Sequence, residues 1–478
     1  MKKKLSIALI GALCVFLAAG NVFAASYASD LAVDKTAVDG MGDLPLEFSY
    51  RLNHAADSVD VIVYDDSTMT EVRTLSGGTA RGVNNVYWDN NDDGGNPVPV
   101  GSYSFKVQVQ STDSATSITG TKWYQNCDPY SDSADQPYGS DVNKNPESEH
   151  FGHLYVVHQN DASPDDIALI YEYPSDVGVA SGSGSDADAI TSGASDLVVD
   201  WDDNGTVPRF IQVDEEGYLY VANWYGSGPN AMREIFRFDP DITNPQIVLG
   251  NSTNPEYSDV AKSCDVRGTG TDKTIWLMDT GTLSGEPIVW KWIDTNGDGT
   301  WTDENVATSF TLSAGDDPDG TVMSIDVDAD GNCYISSDEA GTGENDVAKF
   351  APDGTRIWAT GAGTSPNLAF VRTVRVWDGA NPEDTSDDVV IIDSTTGGSS
   401  SGLTILDADD GSVLATDQTW SAYQGFDVVG NAYNISQSGR YIKLSTLQGG
   451  ITDYTTDFTG SISVNAVVPV ELSVFSIE

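Results

Sequence analysis

Residues 290–305, WKWIDTNGDGTWTDEN, bring side-chain oxygens to alternate positions of a glycine-containing turn. Asp294, Asn296 and Asp298 stand at positions one, three and five of this loop, Gly299 at six and Thr300 at seven, where a backbone carbonyl would serve. Alternating hard-oxygen ligands around a glycine that permits a sharp turn are the logic of a calcium site. Position twelve is Asn305 where a helix–loop–helix calcium site carries a bidentate glutamate, so Glu304, beside Asp303, is the candidate to close the shell. The preceding PIVWKWI reads as a strand, which makes the loop part of a hairpin leading into VATSFTL. We read Asp294, Asn296, Asp298, Thr300 and Glu304 as ligands of a structural calcium ion. The alternative is a metal-free Asx-type turn with Trp301 covering the hairpin.

Other chemistry-bearing residues are weaker candidates. Three of the four histidines, His150, His153 and His158, lie close together near Glu147 and Glu149. On an extended chain His153 and His158 point to opposite faces, and a transition-metal site using all three needs a turn at Gly152. We read them as strand and loop histidines. The acidic turn WDNNDDGGN after Trp88 is a second place that could attract a cation. Asp214, Asp326 and Asp328 each precede a turn, where a short carboxylate satisfies backbone amides. Asn223, Asp279 and Asp393 recur at matching positions of a repeat, which points to turn closure. GGSSSG contains the spacing of a nucleophile elbow at Ser400, but no histidine follows His158 to act as base. There is no HExxH, P-loop or placed dinucleotide fingerprint. We assign no catalytic and no cofactor-binding residue.

The elements that must position these groups are strands. No stretch repeats apolar residues at helical spacing, whereas short alternating runs rich in Val, Ile, Tyr, Trp and Thr, broken by Gly, Asp and Asn, fill the chain. The fold class is all-β. Residues 1–24 read as a signal peptide: Lys2 to Lys4, then LSIALIGALCVFLAAG, then small residues before Ala25. No later segment approaches a membrane-spanning length. The rest divides into a β-sandwich over 25–112, a linker rich in Ser, Asp, Asn and Pro over 113–145, a repetitive region over 146–464, and a tail or strand over 465–478.

The first of these units resembles the Ig-like domain of flagellar hook-capping proteins. The match runs through Val61 to Asp65, Val72 to Leu75, Trp88-Asp89, Gly95 to Pro99 and Gly101-Ser102-Tyr103. It implies that Trp88 fills a sandwich core, that Asp89 to Gly95 turn the chain, and that Gly101 and Tyr103 begin the last strand. In the second region, HLYVVHQND, GYLYVANWY, KTIWLMDTG, GNCYISSDE, DVVIIDSTT and GNAYNISQS recur about every 43 to 65 residues. That spacing fits four strands per blade of a β-propeller. The pattern resembles six-bladed propellers of the NHL and gluconolactonase type, with room for a seventh blade in a long loop. GSISVNAVV is expected to complete a blade near residue 150 and so close the ring.

Composition narrows the function. The formal charge is −50, and −53 without the leader's lysines, which opposes nucleic-acid and anionic-lipid partners and favours divalent cations. Cys127, Cys264 and Cys333 are too few for a disulfide framework and read as buried thiols. The expectation is an exported, noncatalytic binding or scaffold protein of the cell surface, extracellular space or periplasm, with a glycan or protein ligand at the propeller face. A calcium-dependent hydrolase of the lactonase type is one alternative. The other is a surface or filament protein that assembles through its terminal strands, since the alternating VPVELSVFSIE could pair with another molecule.

Overall fold

The computed structural model describes residues 26–39, 43–112, 119–126, 136–145, 147–159, 170–176, 208–223, 234–250, 261–279, 287–312, 322–337, 347–360, 371, 373–377, 388–396, 400–417, 423–426, 431–436, 441–446, 451–458 and 460–465. The leader and the PVEL phrase lie outside them. The described chain is all-β, as its alternating pattern requires, and it forms a sandwich joined to a propeller.

One sheet of the sandwich holds Ala28–Val33, Leu46–Leu52 and Gly82–Trp88. The other is built on Ser58–Asp65 and Gly101–Thr112. Leu46, Phe48, Tyr50 and Leu52 alternate inward to meet Val59, Val61 and Val63 from the facing sheet. Trp88 is fully buried among them, stacked on Phe48 and edge-on to Tyr103, with its indole N–H donating to the Asn91 carbonyl at 3.0 Å.

The last strand of this sandwich is not the one beginning at Gly101. Ile451–Asp457 pairs with the far half of Gly101–Thr112, and Ile462–Val464 pairs with its near half and with Ala37–Val38. GSISV therefore does not close the ring. Ile462 and Val464 alternate inward and are buried in the sandwich core, and that burial draws the chain end to this sheet.

The ring is closed from the other end of the chain. Thr119–Asn126, within the expected linker, is the outer strand of the blade formed by Tyr423–Phe426, Asn431–Ser436 and Tyr441–Thr446. Gln136–Val142, also in that linker, is the innermost strand of the first blade, beside Leu154–Gln159 and Ile170–Tyr173. A blade that borrows a strand from the start of the propeller ties the first blade to the sixth. The short polar runs around these strands conceal them in the sequence.

Blades 2 to 5 are four-stranded meanders: 208–250, 261–311, 322–360 and 374–417. The innermost strands of the six blades neighbour one another in cyclic order around the axis. Apolar side chains fill the spaces between blades, as where Phe210, Tyr220 and Val248 of blade 2 meet Cys264, Trp292 and Trp301 of blade 3. Polar stitches add register: the Ile325 amide donates to Ser263 Oγ at 3.1 Å, and the Val374 amide to Ser324 Oγ at 3.3 Å.

The sandwich rests on blade 1. Tyr27 packs edge-on against Phe151 and donates to the Gly152 carbonyl at 3.2 Å. Gly152 has φ +75, and a Cβ there would stand 2.3 Å from the Tyr27 ring, so glycine is required twice over. Ser29 meets Ser175 at 2.6 Å, and Arg51 Nη1 donates to Asp176 Oδ1 at 3.0 Å.

Candidate functional site

In blades 2 to 4 the innermost strand runs toward a turn, and the loop between the third and fourth strands returns to the same face. A cleft of about 630 Å³ opens there over blades 2 to 4. Its walls carry Lys144, Arg267 and Lys291 beside Asp214, Glu215, Asp272, Asp328 and Asp330. Lys291 Nζ sits 4.3 Å from the centre of the Trp276 ring, and burial lowers its pKa. In so acidic a chain, three cations around one cleft are a local departure.

The carboxylates flanking the cleft are positioned by a repeated device. Asp214 Oδ1 accepts the Glu216 and Tyr218 amides, and its Oδ2 accepts the Tyr220 hydroxyl at 3.1 Å and Lys273 Nζ at 2.7 Å. In blade 4, Asp328 accepts the Asn332 amide at 2.8 Å and the Tyr334 hydroxyl at 3.0 Å, with Lys349 Nζ at 3.5 Å. Burial raises Asp214's pKa against the pull of Lys273, while Lys273 itself is raised by Asp214 and Glu216 against its own burial. The turn-closing role expected of these aspartates is what the hydrogen bonds describe.

Below the cleft, polar side chains from five innermost strands form a connected network. Asp141, Gln212, Asp265, Asp326 and Arg375 occupy matching places on successive inner strands. Arg375 is buried and reaches across to the carbonyls of Ser140 at 3.2 Å and Ile211 at 3.1 Å, with its guanidinium 4.6 Å from the Phe210 ring centre. Asp326 Oδ2 accepts the Val376 amide at 2.7 Å, and Asp141 Oδ2 accepts the Val213 amide at 2.8 Å. Asp265 accepts from Gln212 Nε2 and from Arg267 Nε at 3.2 Å. Burial pushes the Asp265 carboxyl well above the usual range, opposed by Arg267 and reinforced by Asp326. From sequence Asp326 was expected to close a turn, whereas it accepts an amide of the next blade, and Asp141, Gln212, Asp265 and Arg375 were missed. Their signal is legible once blades are aligned, because each stands one residue before an inward valine.

The loop expected to bind calcium, termed the rim loop, lies beside the cleft: the Asp294 amide donates to the Lys273 carbonyl at 2.8 Å, next to the cleft-lining Asp272. Asp294 is buried, its Oδ1 accepts the Gly297 amide at 2.6 Å, and its Oδ2 accepts the Gly299 amide at 2.7 Å. Asn296 Oδ1 accepts the Asp298 amide, and Asp298 Oδ1 accepts the Thr300 amide at 2.8 Å. Asn296 Nδ2 lies between Asp298 Oδ2 at 3.2 Å and Asp303 Oδ2 at 3.3 Å. Glu304 Oε1 accepts the Thr295 amide and hydroxyl at 2.9 and 2.7 Å. Asp294, Asn296, Asp298 and Thr300 are thus gathered by one run of Asx turns, and Glu304 joins the loop through Thr295. The Trp301 amide donates to the Val248 carbonyl at 2.8 Å, and the buried Trp301 ring tilts against Tyr220, so the loop also clasps blade 2.

Other sequence candidates take structural places. Ser400 starts a strand that pairs with Val389–Thr396 across a hairpin and has no elbow geometry. Cys264 and Cys333 are buried free thiols, both held protonated by burial. Asp279 is buried and accepts the Trp290 indole N–H at 3.3 Å. Cys127 and the side chains of Asn223, Asp393 and His158 lie outside the described residues.

The FlgD Ig-like domain family matches residues 35–113. No curated protein matches the chain. Among solved structures, the chain is similar to a protein of unknown function from Bacteroides thetaiotaomicron, at 13% identity over 87% of this chain and 98% of that one, with a TM-score of 0.40. It is similar to the calcium-binding protein regucalcin from Agrobacterium tumefaciens, at 9% identity over 70% of this chain and 96% of that one, with a TM-score of 0.38. Over 19% of its length the chain is similar to FlgD from P. aeruginosa, at 28% identity over 67% of that chain, with a TM-score of 0.15. The chain therefore joins an Ig-like domain of the FlgD type to a β-propeller.

Proposed function

We propose that this is an exported, noncatalytic binding or scaffold protein of the bacterial cell surface or extracellular space. The cleft over blades 2 to 4 is its recognition surface, and the Ig-like unit is a spacer or docking module. The observation that carries this reading is Arg375. Its guanidinium occupies the axis where a hydrolase of this shape would gather ligands for a central cation. The acidic groups around it are buried and engaged with amides, Gln212 and Arg267. The cleft above offers mixed charge and hydrogen-bonding groups, which suits a glycan or a polar protein segment. Export rests on the leader-like residues 1–24.

Calcium in the rim loop belongs to the same proposal. Asp294, Asn296, Asp298, Thr300 and Glu304 are the residues that would hold it. Each Asp294 oxygen accepts one amide and keeps a second lone pair. The exposed carboxylates of Asp298 and Asp303, already facing one amide nitrogen, would be neutralised by the ion. The ion's contribution is structural: it stiffens the rim of the cleft.

The test is binding of the full chain to arrayed glycans and peptides, compared with the Lys144→Ala/Lys291→Ala variant. Saturable binding that weakens about tenfold or more in the variant, about 1.4 kcal/mol, is expected. Equal binding by both proteins would move recognition away from the cleft.

A further inference from the structure

We propose that His150, His153 and Glu172 form a binding site for a divalent transition metal of the zinc class, built into the joint between the Ig-like unit and the propeller. The site goes beyond the recognition role assigned to the cleft and does not depend on it.

The three ligand atoms already converge. His150 Nδ1 lies 2.6 Å from Glu172 Oε1, and His153 Nδ1 meets the same oxygen. The candidate donor atoms of the three residues all fall within 4.8 Å of one another. Each residue sits on firm backbone. Glu172 is on Ile170–Tyr173, directly opposite Tyr155 on Leu154–Gln159. His153 immediately precedes that strand. His150 stands in the turn before it, which is folded back by Gly152 at φ +75 and by the His153 amide donating to the His150 carbonyl at 3.0 Å.

The second observation is the orientation of His153. Its far nitrogen, Nε2, lies 2.6 Å from Asp30 Oδ1, and Asp30 is held in turn by Arg51 Nε at 2.7 Å. Metal-bound imidazoles are usually oriented in this way by a carboxylate on the opposite nitrogen, which fixes the tautomer and leaves the near nitrogen's lone pair for the ion. Asp30 comes from the Ig-like unit and holds φ 52, a left-handed conformation that aspartate tolerates better than most residues.

The third observation is Glu172 itself. The residue is 2% exposed, and its Oε2 has no hydrogen-bond partner among the described residues. A buried carboxylate oxygen left unpaired is costly, and a cation relieves that cost.

Without an ion, two imidazole N–H groups must point at a single oxygen. His153 must also donate from Nε2 to Asp30, which makes it an imidazolium. An incoming dication at Nδ1 displaces one proton from His153 and leaves that ring neutral, still donating from Nε2 to Asp30. A neutral His150 ligates through Nδ1 by carrying its single proton on Nε2, so one proton leaves as the dication enters. Bonds of about 2.0–2.1 Å in a tetrahedron separate ligand atoms by about 3.3 Å. The carboxylate therefore shifts by under about 1 Å from its present hydrogen-bonded position. Two imidazoles with one carboxylate select zinc-class ions over calcium, which prefers oxygen alone. Three protein ligands leave a fourth position for water or an external carboxylate.

Because Asp30 belongs to one unit and the ligands to the other, occupancy strengthens the joint. The test is calorimetric titration of the full, chelator-treated chain with zinc in excess calcium, which saturates the acidic surface. One saturable site that releases about one proton is expected, read from the dependence of the heat on buffer ionisation. His150→Gln leaves the Asp30–His153–Glu172 bridge in place and should abolish saturable binding. Asp30→Asn, which loosens His153 without removing a ligand, should weaken it about ten- to hundredfold. Cobalt should give visible bands in the native chain that His150→Gln loses. Non-saturating uptake, or zinc binding unchanged in both His150→Gln and Glu172→Gln, would overturn the proposal.

Discussion

Arg237, on the third strand of blade 2, donates from Nη1 to the carbonyl of Gly299 in the rim loop of blade 3, at 2.8 Å. A loop read from sequence as a local metal turn is therefore also a clasp between neighbouring blades. Gly299 holds φ +73, and a Cβ there would stand 1.7 Å from Arg237 Nη1. Any side chain at this position both strains the backbone and displaces the clasp.

The first prediction concerns this clasp. Asp294→Ala leaves the Gly297 and Gly299 amides without their carboxylate and should cost about 1–3 kcal/mol for the buried Gly299 amide. Calcium removal should lower the melting temperature of the wild type and have little effect on Asp294→Ala. Thermal melts with and without chelator check both. An unchanged wild-type melting temperature would favour the metal-free turn.

A second prediction uses the axis. Burial raises the folded-state pKa of Asp265 above its unfolded value. The stability tied to its protonated form is fully present below the unfolded pKa of about 4 and is lost as pH rises through the folded value. Within that window the loss approaches about 1.4 kcal/mol per pH unit. Asp265→Asn removes the titration, so its denaturant stability should fall less steeply than the wild type's as pH rises above about 4. Parallel curves would contradict the protonated assignment.

Third, Arg375→Leu should destabilise by about 1.5–3 kcal/mol for each charged hydrogen bond lost to the Ser140 and Ile211 carbonyls. Denaturant unfolding measures the loss. A variant as stable as the wild type would mean that the arginine does not hold blades 1, 2 and 5 together.

The sandwich supplies a fourth. Ile462→Ala removes a fully buried side chain contributed by the chain's far end and should cost about 2–5 kcal/mol. If the Ig-like unit is probed by hydrogen exchange, the loss should be concentrated in Gly101–Thr112, which pairs with Ile462–Val464. A loss confined to the propeller would contradict the pairing.

How much of this was legible depended on range. Alternation along Ser58–Asp65 and Val322–Val327 announced strands, and Trp88 with the turn after it announced the sandwich, because each signal lies within a few residues. Thr119–Asn126 and Ile462–Val464 were misplaced because their partners lie hundreds of residues away, and no local pattern names a partner. Glu172 escaped notice for the same reason: only pairing of its strand with Leu154–Gln159 brings it to His153. The rim loop was legible as a turn because Asx turns are local. Its clasp on Arg237 was not.

The central proposal is that the network of Asp141, Gln212, Asp265, Asp326 and Arg375 beneath the cleft is a scaffold and not a reaction centre. Lactone hydrolysis by the full chain in saturating calcium tests it most directly, with Asp326→Asn measured alongside. The account predicts the rate of buffer for both proteins. A calcium-dependent rate in the wild type that Asp326→Asn abolishes would contradict it.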